Sequence, residues 1–156
     1  MAGPGLNIRP AEIGDLETVA PLFDAYRRFY RQPADPEGAL RFIRARLIEG
    51  DSHILLAELE GEAAGFVQLY PAWSSVRLGR LMILNDLYVA ETVRGQGVGR
   101  ALLEAACETA RQTNAVGLVL ETEPDNGTAQ RLYEAAGWKR SRHFYYGFDL
   151  QERGQS

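Results

Sequence analysis

Between residues 80 and 112 the chain writes a strand, a glycine loop and a helix in immediate succession. The stretch "RLMILNDLYV" is apolar at nearly every position, as in a strand covered on both faces at the centre of a sheet. Beyond the loop, Val98, Ala101, Leu102, Ala105 and Thr109 share one side of a helix, and Arg100, Glu104, Glu108 and Arg111 share the other. A buried strand feeding an amphipathic helix requires that helix to pack on a sheet, which makes the chain α/β. Glycine suits neither helix nor strand, so Gly95, Gly97 and Gly99 need a local reason. A side-chain-free loop entering a helix leaves backbone N–H groups beside the positive end of the helix dipole, a cradle for phosphate. The other reading is a turn that the chain path alone demands.

The remaining elements fit one domain. A strand at 6–9 ends at Pro10, and Asp15 is expected to cap a helix reaching Tyr30, with Leu16, Val19, Leu22, Phe23, Tyr26 and Tyr30 near helical spacing. A second helix carries Leu40, Phe42, Ile43 and Leu47 and stops at Gly50, and two strands flank the turn at Glu60, Gly61 and Glu62. "VGLVLET" reads as a buried strand and 126–136 as a helix stopped by Gly137. The chain then closes on an alternating strand with Phe144, Tyr146, Phe148 and Leu150 on one face. With 156 residues and neither repeat nor linker, the expectation is one domain over 1–150, a mixed sheet flanked by helices, and a frayed tail at 151–156.

Composition removes several classes. A net charge of −4 argues against nucleic acid or anionic membrane as partner. No apolar run approaches membrane-spanning length, and the first residues lack the basic and apolar regions of a secretory signal. Cys107 stands alone without a neighbouring His, Lys or Arg, which suits the cytoplasm and a structural thiol rather than a nucleophile. His53 and His143 are far from any ligand spacing, so no metal site is expected.

The glycine loop is not a P-loop, because Arg100 and Ala101 stand where Lys and Ser/Thr are needed. A dinucleotide fingerprint fails more narrowly: Arg100 replaces the third glycine, although Glu121 mimics the ribose-binding acid. The stretch after Gly99 is too short for the rest of a doubly wound domain, which leaves nicotinamide chemistry a weak second reading.

Arg94-Gly95-Gln96-Gly97-Val98-Gly99 after a long strand, "LNDLYV" before it and "NGTAQRLYEAAGW" beyond it resemble the GCN5-related N-acetyltransferase (GNAT) family, nearest its small histone and polyamine acetyltransferases. The resemblance implies that family's single-domain fold, with a mixed, mostly antiparallel central sheet. It implies acetyl-CoA as cosubstrate, its pyrophosphate on the backbone of Gly95, Gln96, Gly97, Val98, Gly99 and Arg100 beside Arg94. The pantetheine arm would pair with Leu87, Tyr88 and Val89, Asn126 would touch that arm, and the Tyr133 hydroxyl would lie beside the thioester sulfur.

Acetyl transfer to an amine needs a neutral nitrogen, a donor for the developing oxyanion and a proton for the leaving thiolate. The resemblance places the oxyanion donor at a backbone N–H near Leu87 and makes Tyr133 the acid, although Tyr133 also sits on its helix's apolar stripe. Some polyamine enzymes of the family carry a glutamate immediately before the strand aspartate, where this chain has Asn85. The acidic candidates left for base are Asp86, Glu121 and Glu123, with water-mediated deprotonation as the default. Tyr145 and Tyr146 could line the acceptor pocket, pack, or mediate a homodimer. The expected activity is direct N-acetylation of a small primary amine such as a polyamine or amino acid. The alternatives are a protein lysine or N-terminus as acceptor, or an acyl-CoA sensor without turnover.

Overall fold

The structure is a computed structural model, and it describes residues 4–151. Five strands form one sheet in sequence order: β1 (Leu6–Pro10), β2 (His53–Leu59), β3 (Glu62–Ser74), β4 (Gly79–Val89) and β5 (Gly117–Val119). Every pairing is antiparallel except the last, where β5 lies parallel to β4. Two helices, α1 (Leu16–Phe29) and α2 (Pro36–Glu49), separate β1 from β2. The long α3 (Val98–Gln112) connects β4 to β5, as a parallel crossover requires, and α4 (Gly127–Ala135) follows β5.

Alternation along the strands divides the core into two layers. Leu55, Ala57, Val67 and Leu69 meet Val98, Leu102, Leu103 and Ala106 of α3 on one face. Ile54, Leu56 and Phe66 turn the other way, against Val19 and Phe23 of α1 and Ala39 and Ile43 of α2. At the junction of the two central strands Gly65 admits no side chain, because a Cβ there would stand 2.4 Å from the Tyr88 carbonyl oxygen.

The register of β3 and β4 shifts once. Gln68 faces Asp86 and Leu69 faces Leu84, so Asn85 is an extra residue in β4. Such a bulge bends its strand and breaks the ladder. Pairing with β5 is confined to Leu81–Gly117, Met82–Leu118 and Ile83–Val119. Past the bulge the two strands part, and β4 from residue 84 onward has no strand on that side.

The two-sided nature of β4 and the positions of α2, α3 and α4 agree with the sequence. Three expectations are corrected. The strand read over 116–122 shortens to three residues, because its partner bends away after Ile83. The closing strand expected over 144–150 is not formed among the described residues. Asp15 does not cap α1 with its side chain; its carboxylate takes two bonds from Arg9 and one from the Glu12 N–H, bracing the turn before the helix. Of the tail expected to fray, residues 152–156 lie outside the described residues. No helix among the described residues is long and apolar enough to cross a membrane.

Candidate active site

The glycine loop folds as a strand-to-helix entry. Gly95 and Gly97 hold φ of 82° and 84°, the left-handed region that a side chain strains, and a Cβ at either would project into open space. Gly97 is the N-cap of α3, and the first helical bond runs from the Ala101 N–H to the Gly97 carbonyl. The N–H groups of Val98, Gly99 and Arg100 are therefore left at the helix entrance, with neither a capping side chain nor an acidic residue in the first turn. The positive end of a fifteen-residue helix thus faces outward uncompensated, as an anionic group would require. Gly99 differs from the other two. Its φ is ordinary, and a Cβ would meet a Leu132 methyl at 3.2 Å and a Val89 methyl at 3.6 Å, so it serves the close packing of α3 on β4 and α4.

The neighbouring edge of β4 continues this surface. The Ala90 N–H bonds to the Ala64 carbonyl, so by strand alternation Tyr88 directs its backbone toward β3. Leu87 and Val89 direct theirs to the side where β5 is absent. The Val89 carbonyl there accepts from Arg94 Nε at 3.0 Å, and the Arg94 guanidinium lies over the rings of Tyr88 and Phe29. Arg100 turns instead to Glu104, one helical turn along. Of the three strand residues expected to pair with a ligand, Leu87 and Val89 have the right backbone direction and Tyr88 does not.

At the bulge sits a buried carboxylate. Asp86 is 1% exposed. Its two oxygens accept from Gln68 Nε2 and from Asn85 Nδ2. Gln68, itself wholly buried, is oriented by the Ser52 hydroxyl, which donates to Gln68 Oε1 at 2.8 Å. Burial raises the Asp86 pKa above the usual carboxylate range, against the hydrogen bonds from Asn85 and Gln68. The Tyr26 hydroxyl donates to the bulged Asn85 carbonyl at 2.9 Å.

Three more tyrosines stand around this group. Burial and the Asp86 charge lift Tyr70 to about 12. Tyr30, raised by burial and by Glu123, has its hydroxyl held by Asn126. Tyr133 on α4 packs beside Trp138 and is pushed up to about 12 by burial and by Tyr30. These phenols stay protonated near neutral pH. Tyr30 lies near both Asp86 and Tyr133.

Other expected residues fall differently. Asn126 is the N-cap of α4, its side-chain oxygen accepting from the Ala129 N–H at 3.3 Å. Glu121 is exposed two residues beyond β5, outside the cluster. Glu123 is held by Arg31 through two bonds of 3.0 and 2.9 Å, which ties the end of α1 to the loop before α4. Burial raises the Cys107 thiol, which keeps it un-ionised. Among the described residues no cluster of three or more His, Cys, Asp or Glu side chains could hold a metal ion. The sequence reading did not single out Tyr26, Tyr30 or Gln68 for the site. Its signal for Gln68 was a lone amide inside the apolar run "GFVQLY"; Tyr26 and Tyr30 were absorbed into a helical stripe.

Comparison with known proteins accounts for this combination. The family model described as Acetyltransferase (GNAT) family matches residues 19–138. The uncharacterized N-acetyltransferase YhfO of Bacillus subtilis (strain 168) is 47% identical over 141 residues, covering 90% of this chain and 95% of that protein. A crystal structure of a probable acetyltransferase superposes with a TM-score of 0.88 at 40% identity, over 93% of this chain and 98% of the other. The aminoglycoside N-acetyltransferase AAC(6')-Iy, solved in complex with CoA, shares the fold with a TM-score of 0.80 at 18% identity, over 95% and 97% of the two chains. The chain belongs to the GNAT family of acetyltransferases, which uses acetyl-CoA.

Proposed function

We propose that the enzyme transfers acetyl directly from acetyl-CoA to the primary amine of a small, cationic molecule. The observation that carries this reading is the convergence of the uncapped α3 entrance, the strand-free edge of β4 at Leu87 and Val89, and the tyrosine cluster around Asp86. Bound acetyl-CoA supplies an acyl carbon activated as a thioester. Gly95, Gln96 and Gly97 leave room for its phosphates, and the N–H groups of Val98, Gly99 and Arg100 donate to them with Arg94 alongside. The Leu87 N–H faces the open edge and is the donor for the acetyl oxygen. Asn126 borders the same space.

The acceptor arrives as an ammonium with a pKa of about 10 and must lose a proton. Asp86 is too buried, with both oxygens occupied, to touch it. Its charge and the tyrosine ring faces favour a cation nearby, and water carries the proton away. Asp86 is in this reading a positioning residue, and Glu121, exposed and apart, has no role. For Tyr133 the magnitudes decide between two duties. A phenol near 12 lies about 3.5 pH units above a thiol near 8.5, so outright protonation of the thiolate by Tyr133 costs roughly 5 kcal/mol. Tyr133 instead donates a hydrogen bond to the sulfur and holds its own proton.

The size and charge of the mouth favour a small acceptor. The Arg31–Glu123 bridge forms part of the wall of a cavity of about 200 Å³ lined by Phe29, Tyr30, Arg31, Glu123, Asp125 and Asn126. A thiol-release screen with acetyl-CoA against polyamines, amino acids, amino-terminal peptides and lysine peptides tests the reading. Small cationic amines should give the highest kcat/KM. Turnover of peptides alone would replace the acceptor assignment, and CoA binding without turnover of any amine would make the chain a sensor.

A further inference from the structure

Two polar side chains lie where the packing of the sheet asks for apolar ones. Phe66 faces α1 and α2, and by alternation Gln68 follows it on that face, opposite Asp86 in the strand register. Gln68 is 0% exposed and Asp86 1%. Burying such groups is costly unless their polar atoms are bonded, and here the bonds form a chain. Asn85 Nδ2 donates to one Asp86 oxygen at 2.7 Å, and Gln68 Nε2 donates to the other. Gln68 Oε1 in turn accepts from the Ser52 hydroxyl, in the turn that enters β2. Among the described residues no cationic side chain bonds to Asp86. The groups turned toward it are the phenols of Tyr26 and Tyr30 from α1 and Tyr70 from β3. Behind these, Tyr133 of α4 acts on Tyr26 and Tyr30. Glu123 beside Tyr30 is bridged to Arg31, and Arg46 of α2 beside Tyr70 is bridged to Asp51. His53, next to Ser52, alternates to the opposite face, near Arg80. The phenols keep their protons near neutral pH, so the charge that changes at the centre of this cluster is that of Asp86.

We propose that Gln68, oriented by Ser52, is a positioning residue for acceptor binding: its NH2 group holds Asp86 as an anion beneath the tyrosines that receive the acceptor's ammonium. This role presupposes the cationic acceptor proposed for the same site. The chemistry of the groups gives the chain its direction. An ionised carboxylate only accepts hydrogen bonds, so it needs the NH2 end of an amide. Turning that end to Asp86 leaves the Gln68 carbonyl oxygen pointing away inside the protein, and the Ser52 hydroxyl supplies the donor it then requires. A bond accepted at the carbonyl also polarises the amide and strengthens its N–H as a donor. A leucine at 68 would suit Ile54, Leu56 and Phe66 on the same face, but it would leave Asp86 with the Asn85 bond alone. Burial would then favour the neutral carboxyl, which draws no cation. The polar pair is thus placed against the packing pattern to keep a charge that packing would extinguish.

An NMR titration of the aspartate carboxyls, with the Asp86 signal assigned by Asp86→Asn, measures the chain of bonds without any acceptor. Gln68→Met keeps the length of the side chain and removes its NH2. It should move the Asp86 midpoint upward by about 1–2 pH units, the size of one hydrogen bond to a charged group. Ser52→Ala should move it the same way by less, Ser52→Thr should leave it at the parental value, and Ser52→Ala should add nothing in the Gln68→Met background. Kinetics with putrescine as the amine read the consequence. A carboxyl that titrates higher loses its charge at a higher pH, so the acid limb of kcat/KM for putrescine should move up with the midpoint. On that limb KM for putrescine should rise up to about tenfold per pH unit of the displacement, with KM for acetyl-CoA unchanged. A midpoint indifferent to Gln68→Met, an effect of Ser52→Ala that persists without Gln68, or a loss that falls on KM for acetyl-CoA would each overturn the role. Ser52 is half-buried in a turn, so its variants carry the test if Gln68→Met misfolds. No turnover of any small amine by the parent would refute the cationic acceptor alone, and the carboxyl titration would still decide what Gln68 does to Asp86.

Discussion

Substituting Gly97 and Gly99 separately by alanine separates two jobs that the sequence presents as one. At Gly97, with φ of 84°, a Cβ costs about 1–2 kcal/mol of left-handed strain, and nothing is gained because no atom lies within 4 Å to pack against. At 2–4 °C per kcal/mol for a chain of this length, the Tm of Gly97→Ala should fall by about 2–8 °C. At Gly99 the new methyl improves helix propensity by about 0.8–1 kcal/mol. Against this stands crowding of Leu132 at 3.2 Å, which its terminal methyl relieves by a small shift, so the cost lies near the low end of the usual 1–3 kcal/mol. The net change for Gly99→Ala is within about 1 kcal/mol, a Tm within roughly 4 °C of the parent. Acetyl-CoA should discriminate the other way from simple damage. The open space beside Gly97 is where the phosphates belong, so Gly97→Ala should weaken binding at least tenfold, about 1.4 kcal/mol, whereas Gly99→Ala should bind as the parent does. Calorimetric titration together with thermal melts with and without ligand measures both. Equal affinity in the two variants, or a loss confined to Gly99→Ala, would refute the division of labour.

Tyr133→Phe should fold and bind acetyl-CoA while kcat falls by about 10²-fold, the low end for a donated proton or hydrogen bond. With the phenol protonated across the assay range, the ratio of parent to variant should stay flat over pH 6–9 in steady-state kinetics. The buried Asp86 and the ion-paired Asp15 should tilt the stability curve in opposite senses. The Asp86 carboxyl is raised, so its contribution is greatest when protonated and is lost as pH rises from the ordinary carboxylate range toward its folded value; Asp86→Asn should remove that decline in pH-dependent denaturation. Asp15, held near 2 by Arg9, contributes above the ordinary range and loses its contribution as pH falls toward 2, a slope that Asp15→Asn should abolish. Gly65→Ala sets a Cβ 2.4 Å from a backbone oxygen that cannot rotate away, so it should cost more than 3 kcal/mol and fail to accumulate as folded protein.

Where the chemistry was local, the sequence carried it. The phosphate-type entrance could be read because glycine spacing and helix periodicity occupy one continuous stretch. Asn126, Tyr133 and Gly137 form a short motif on one helix and its cap, so they too were visible. The misreadings are non-local. The bulge at Asn85 depends on how β3 and β4 settle their register, and nothing in "ILNDLYV" announces an extra residue. That bend also cuts β5 to three residues, although "VGLVLET" has the composition of a longer strand. Tyr26 and Tyr30 looked like helix packing because the residues they reach, Asn85 and Glu123, lie far along the chain. Asp15 met an N-cap rule, but Arg9 offered a stronger ionic partner than the helix amides.

In the proposed complex most of the surface offered to acetyl-CoA lies away from its acetyl group. There the α3 entrance would meet phosphate and the edge of β4 the pantetheine arm, and both groups are the same in the spent carrier. Contacts shared by substrate and product hold either one equally and leave little to eject the product. On the proposed reading, the bend at Asn85 that opens this edge predicts that free CoA competes with acetyl-CoA. In a cell the rate of such an enzyme follows the ratio of acetylated to free carrier rather than the amount of acetyl-CoA alone.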